Sequence, residues 1–170
     1  MGTVAGGPIF SLSDTSLFFS NRRFDNAYVN NGLVINVPHV VLRGNVKVKE
    51  MFEKLEPIFV KNEKEILRTA NIYIDRDGKS ILIESLAIER AKKTQFLCMI
   101  SARKDGIVVR IYPGFEVKKT NGVKRILVEV SYQLTKKIPQ LTVGETNLSE
   151  YFTQSTLRLS LLFGKQQKGV

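Results

Sequence analysis

AKKTQFLCMISARKDGIVVRIYPGFEVKKTNGVKRILVEVSYQLTKK, from Ala91 to Lys137, is the stretch whose reading decides the fold. It predicts antiparallel strands at Thr94 to Ala102, Ile107 to Tyr112 and Val123 to Leu134. Lys104-Asp105-Gly106 makes the first connection, since Asp-Gly between apolar runs is a strong hairpin signal. Pro113-Gly114 and Thr120-Asn121-Gly122 punctuate the second. In the last run Ile126, Val128, Val130, Tyr132 and Leu134 alternate with Arg125, Glu129, Ser131 and Gln133, a strand period with one face for the core.

The same stretch carries the charge. It holds eleven Lys and Arg against the acids Asp105, Glu116 and Glu129, which is +8 of the chain's net +10. A local field of this kind attracts polyanions and says nothing about fold.

Upstream, Asn71 to Asp75 and Lys79 to Glu89 predict two strands around Arg76-Asp77-Gly78. Asn45 to Ala70 reads as helix. Val48, Met51, Phe52, Leu55, Ile58 and Phe59 recur at helical spacing, Asn45 suits the N-cap, and Pro57 kinks or restarts the helix. Nearer the start, Tyr28-Val29 and Leu33-Val34-Ile35 flank Asn30-Asn31-Gly32 as a hairpin. Pro38 demotes the following apolar run to an edge or bent strand.

Downstream, a linker runs from Ile138-Pro139 to Thr146. Asn147-Leu148-Ser149-Glu150 then has a capping-box layout. From 148 to 163 a helical period competes with the alternation of Leu157, Leu159, Leu161 and Phe163, and helix is favoured. The expected fold is α+β: a four- to five-stranded antiparallel meander packed against one long, kinked or broken helix. A small N-terminal β section and a C-terminal helix complete it. Residues 1–7 form a flexible start, 8–163 a single domain and 164–170 a polar tail.

Size and composition place the chain among ordinary globular domains, with 43% apolar and 25% charged residues. No apolar run is long enough to span a bilayer. The N-terminus lacks the basic leader of a secretory signal, and the lone Cys98 excludes an internal disulfide framework. The expectation is a soluble, cytoplasmic protein without membrane contact.

Catalytic signatures are missing. Asp75 to Ser80 lacks the glycine spacing of a phosphate loop and the closing Glu of a calcium loop, so a hairpin turn accounts for it. His39 has no cysteine or acid near it in sequence. Cys98 sits among Phe96, Leu97, Met99 and Ile100, the setting of a buried inert thiol. Glu84 and Glu89, at odd spacing on one strand, point to opposite faces. No enzyme, no cofactor and no metal are expected.

The leading expectation is a binder of single-stranded DNA or RNA on a basic sheet face, with limited sequence preference. Lys92, Lys93, Arg103, Lys104, Arg110, Lys118, Lys119, Lys124 and Arg125 would supply charge for phosphates. Tyr112 and Phe115 would stack bases. The sequence lacks the aromatic motif of the common sheet-based RNA-binding fold and any helix-turn-helix signal. The alternative is an assembly subunit, viral or ribonucleoprotein, that forms a homodimer through its C-terminal leucines. Under a third reading the lysines merely solubilise loops and guard strand edges.

Overall fold

The computed structural model describes residues 27–30 and 33–153, with side chains from residue 37 onward. Ala27–Asn30 (β1) and Leu33–Asn36 (β2) form the expected hairpin, Val29 opposite Val34. The chain divides after Asn36, and this hairpin lies in the first of the two units. The second unit begins at Val37.

That unit is built on seven antiparallel strands where four or five are expected. They are β3 (His39–Arg43), β4 (Phe59–Lys61), β5 (Glu65–Ile74), β6 (Ser80–Glu89), β7 (Lys92–Arg103), β8 (Gly106–Ile111) and β9 (Thr142–Thr146). Their order across the sheet is β4-β5-β6-β7-β8-β3-β9. Two helices, α1 (Val48–Lys54) and α2 (Asn121–Lys137), pack against it.

The Asp-Gly turns fall as expected. In the β5–β6 turn Gly78 takes φ +66°, and Asp75 Oδ1 accepts a 2.6 Å hydrogen bond from Lys79 N. In the β7–β8 turn Gly106 does more than close the hairpin. A Cβ there would lie 2.0 Å from the Leu42 carbonyl oxygen, so the bare backbone lets β3 pair with β8. The β6–β7 turn uses no glycine. Arg90 and Ala91 both have positive φ, +48° and +63°, a conformation that tight hairpins need and that L-residues resist.

Residues 123–134 are helix α2, not the expected last strand. Val123, Ile126, Leu127, Val130 and Leu134 recur at helical spacing and are all buried. The two-residue alternation of Ile126, Val128 and Val130 is present too, because Leu127 and Val128 widen the buried side. Both periods fit the letters. Capping settles it: the Thr120 hydroxyl accepts from Val123 N, and Lys136 and Lys137 occupy the last turn, where the helix dipole favours cations.

The long helix over 45–70 is also corrected. Only Val48–Lys54 is helical, and Glu65–Ile74 is a strand hydrogen-bonded to β6 along its length apart from one bulge. Pro57 disfavours helix for the residue before it. The Gln133 side chain then holds Glu56 open, accepting from its N–H at 3.1 Å and donating to its carbonyl at 3.1 Å. Ile58 and Phe59, expected on one buried face, part company: Ile58, just before β4, packs on the core, and Phe59, its first residue, is 66% exposed.

Two smaller corrections follow. β3 begins directly after Pro38 yet lies inside the sheet, between β8 and β9, with a register shift against β9 between Val40 and Leu42. The expected linker before Thr146 contains β9. Residues 149–153 are helical, and the remainder of the expected C-terminal helix, with its proposed dimer contact, lies outside the described residues.

The sheet has two distinct faces. On the inner face Val40, Leu42, Ile81, Ile83, Phe96, Cys98, Ile100, Ile107 and Val109 are buried beneath the helices. Burying each such aliphatic side chain stabilises the fold by about 1.5–3 kcal/mol. The outer face carries the alternate positions, including Leu82, Leu86, Leu97, Met99, Val108 and Arg110, all half-buried. Among the described residues, no helix is long and apolar enough to cross a membrane.

Candidate nucleic-acid interface

Strand direction divides the sheet into two ends. At one, which we call the near end, β6 turns into β7 and α2 starts, while β8 stops short of it, with Ile111 opposite Cys98 midway along β7. The far end holds the β7–β8 turn and the close of β3. From Lys92 to Arg103 is eleven residue steps of β7, about 37 Å at about 3.4 Å per residue. The Debye length at physiological salt is about 8 Å, so the two ends act as separate fields.

At the near end the β6–β7 turn presents Arg90, Lys92 and Lys93, all exposed. The loop from Tyr112 to Thr120 adds exposed Lys118 and Lys119, and Lys124 follows in the first turns of α2. Lys124 Nζ lies 5.5 Å from the Tyr151 ring centroid, a cation–π distance. The Tyr151 hydroxyl in turn donates to Asn121 Oδ1 at 2.8 Å, fixing that ring beside the start of α2.

Carboxylates here are few, and one is already engaged. Glu65 pairs with Arg125 between β5 and α2, with side chains only 9% and 15% exposed. Glu89 reaches the start of α2: a Cβ on Gly122 would come within 2.8 Å of its Oε2 and 2.9 Å of Ala87 Cβ. Gly122 therefore lets the helix settle onto β6. Glu116 is left exposed in the loop.

The same loop carries the exposed aromatic. Phe115 is 67% exposed, and its ring centroid lies 5.9 Å from that of Tyr112 at a 52° tilt. Gly114 folds over the Tyr112 ring so closely that a Cβ would sit 2.3 Å from Tyr112 Cε1. Tyr112 is thus a half-buried support, and Phe115 the ring presented to solvent.

At the far end the cations meet acids. Arg103 Nε donates to Asp105 Oδ1 at 3.1 Å, and Arg43 lies 4.0 Å from Asp105 and 3.3 Å from Glu145. A shallow groove of about 230 Å³ lies among Gly44, Asn45, Val46 and the Arg103–Gly106 turn. Lys104 is exposed beside it.

The eleven residues singled out in the sequence therefore do not share one face. Lys92, Lys93 and Lys124 stand at the near end, and Lys118 and Lys119 in the loop that leads to it, whereas Tyr112, with Phe115 against it, lies beside Leu97 midway along β7. Arg103 and Lys104 stand at the far end, with Arg110 on the outer face between. Arg125, expected to share the sheet's polar face with Arg103 and Arg110, is on α2, against the opposite side of the sheet.

Sequence reading missed Arg90 and Phe59. Arg90 sits in a turn without a turn residue, and the helical reading placed Phe59 in the core. Elsewhere, His39 is buried, its Nδ1 3.0 Å from the Val37 carbonyl oxygen and its N–H donating to Asn147 Oδ1. Cys98 is fully buried, and that burial pushes its thiol far above the ordinary range, away from the thiolate that reactive cysteines need. Among the described residues no cluster of three or more His, Cys, Asp or Glu could hold a metal ion. Compared with family models, curated proteins and solved structures, the chain matches none, so the functional reading rests on the chemistry of the near end.

Proposed function

We propose that the protein is a non-catalytic binder of single-stranded nucleic acid, DNA or RNA, with limited sequence preference. The observation that carries this reading is the group of exposed cations at the near end, from the β6–β7 turn and the loop before α2, with the exposed phenyl ring of Phe115 on that same loop. Lysines on turns and loops attract phosphates without reading sequence. An exposed aromatic ring stacks an unpaired base, worth about 1–3 kcal/mol, and is tolerant of which base it meets. A duplex hides its base faces and would gain only the phosphate part.

The test is fluorescence anisotropy of labelled single-stranded and duplex oligonucleotides across a salt series. The expected result is tighter binding to the single strand, with log affinity falling against log salt by about 0.7 per phosphate neutralised. Absence of binding at low salt would overturn the reading, and an acidic protein partner would then be sought by pull-down.

A further inference from the structure

We infer that the bound strand crosses the outer face at right angles to the β-strands, from Phe59 on β4 to Phe115 beyond β8. This rests on the single-strand reading above and adds a second stacking platform and a site length. The two rings are alike in exposure, 66% and 67%. Both belong to the outer face. Phe59 pairs with Arg68, which pairs with Leu86, which pairs with Gln95, and paired residues point to one side. Phe115 rests on Tyr112, whose N–H donates to Leu97 O at 2.8 Å just beyond the β7–β8 ladder.

The ground between the rings suits a strand. Leu86 and Leu97 are half-buried and offer an apolar floor for base faces. The adjoining row of the register runs from Lys61 to Lys93 across Ile66 and Ile88, placing an exposed ammonium at each side. Arg68, also exposed, stands within the path. Phosphates on the cationic rim with bases on the aliphatic floor is the arrangement this pattern fits.

Geometry sets the length. From β4 to β8 is four strand spacings, about 19 Å at about 4.8 Å each. A stacked strand places about six nucleotides in that span at about 3.4 Å apiece, and an extended one fewer. A dinucleotide cannot reach both rings.

The experiment measures affinity for oligothymidylates of two, four, six and ten nucleotides against the full chain and two variants. For the unaltered protein, affinity should climb steeply up to about six nucleotides and flatten beyond. Phe59→Ala should weaken hexamer binding roughly 5- to 140-fold, the span of one stacking contact, and leave the dinucleotide nearly unaffected. Phe59→Tyr should restore the hexamer. Because Phe59 is mostly exposed, neither change should shift the melting temperature appreciably. If Phe59→Ala stays within twofold while Lys92→Ala with Lys93→Ala weakens binding, the path avoids β4 and this inference falls alone. If the unaltered protein binds no oligonucleotide, the proposed function falls with it.

Discussion

The two ends of the sheet are made from the same residue types and behave differently. Arg103 and Arg43 at the far end lie against Asp105 and Glu145. At the near end Glu65 is taken up by Arg125, and Arg90, Lys92, Lys93 and Lys118 are exposed, with Glu89 opposite Lys92 at the start of α2. Counting charges along the chain merges these ends into one basic stretch. What a polyanion meets is decided by where the acids go, and here they go to the far turn and to the helix.

Arginine gives the sharpest contrast. Arg125→Ala would leave Glu65 as an almost buried carboxylate without its partner, and should lower stability by about 3 kcal/mol or more in urea unfolding. Arg103→Ala, breaking an exposed pair, should change it by less than about 0.5 kcal/mol. Replacing Arg125 and Glu65 together by Met and Leu should recover most of the loss. Equal effects from Arg103 and Arg125 would break the contrast between a surface pair and a buried clamp.

The next largest effect concerns binding. Lys92, Lys93 and Lys118 changed together to Ala should weaken single-strand binding on the order of 10- to 100-fold at physiological salt. They should also flatten the salt slope by about 2. The matching far-end triple, Arg43, Arg103 and Lys104 to Ala, should shift the slope by less than about 0.7. If the far-end triple weakens binding as much, the groove beside Gly44 is the site.

Backbone positions sharpen the comparison at smaller scale. Gly122→Ala adds helix propensity worth about 1 kcal/mol, but its Cβ would collide with Ala87 Cβ at 2.9 Å, and Ala87 moves only with the β6 backbone. The net should be a loss of about 1 kcal/mol by thermal melting. Ala91→Gly works the other way. It relieves a residue at φ +63° and should stabilise by about 0.5–1 kcal/mol with affinity unchanged. A gain in stability with a loss of affinity would mean that the rigid turn helps position Lys92 and Lys93.

Reading the letters recovered the turns better than the elements between them. Asp77-Gly78 and Asp105-Gly106 were legible because positive φ favours glycine, and a glycine stood at each turn; the strands either side of Asn30-Asn31-Gly32 were legible from their apolar runs. The Arg90-Ala91 turn carried no such mark. Residues 123–134 satisfied both the strand and the helical period, and only the hydroxyl of Thr120 and the packing against β6 choose between them. The misreading had consequences for the site: it put Arg125 on the sheet and hid Phe59 in a helix. The exposure of Lys92, Lys93, Lys118 and Lys119 was legible because they lie at a strand start and in a loop, where exposure depends little on the packing of the elements beside them.

The sheet described here is open, with β4 at one margin and β9 at the other. Open margins invite copies of a chain to join strand to strand, and concentrated protein would then form fibres. Here β4 is three residues long, and Phe59 and Lys61, on either side of Val60, face solvent. The other margin reads Thr142-Val143-Gly144-Glu145-Thr146, with one large apolar side chain and a glycine that weakens extended pairing. A stack of such margins would set like charges against one another at Lys61 and at Glu145. Among the described residues, these two margins therefore disfavour strand-to-strand joining of copies, even though the longest strands carry aliphatic side chains on both faces.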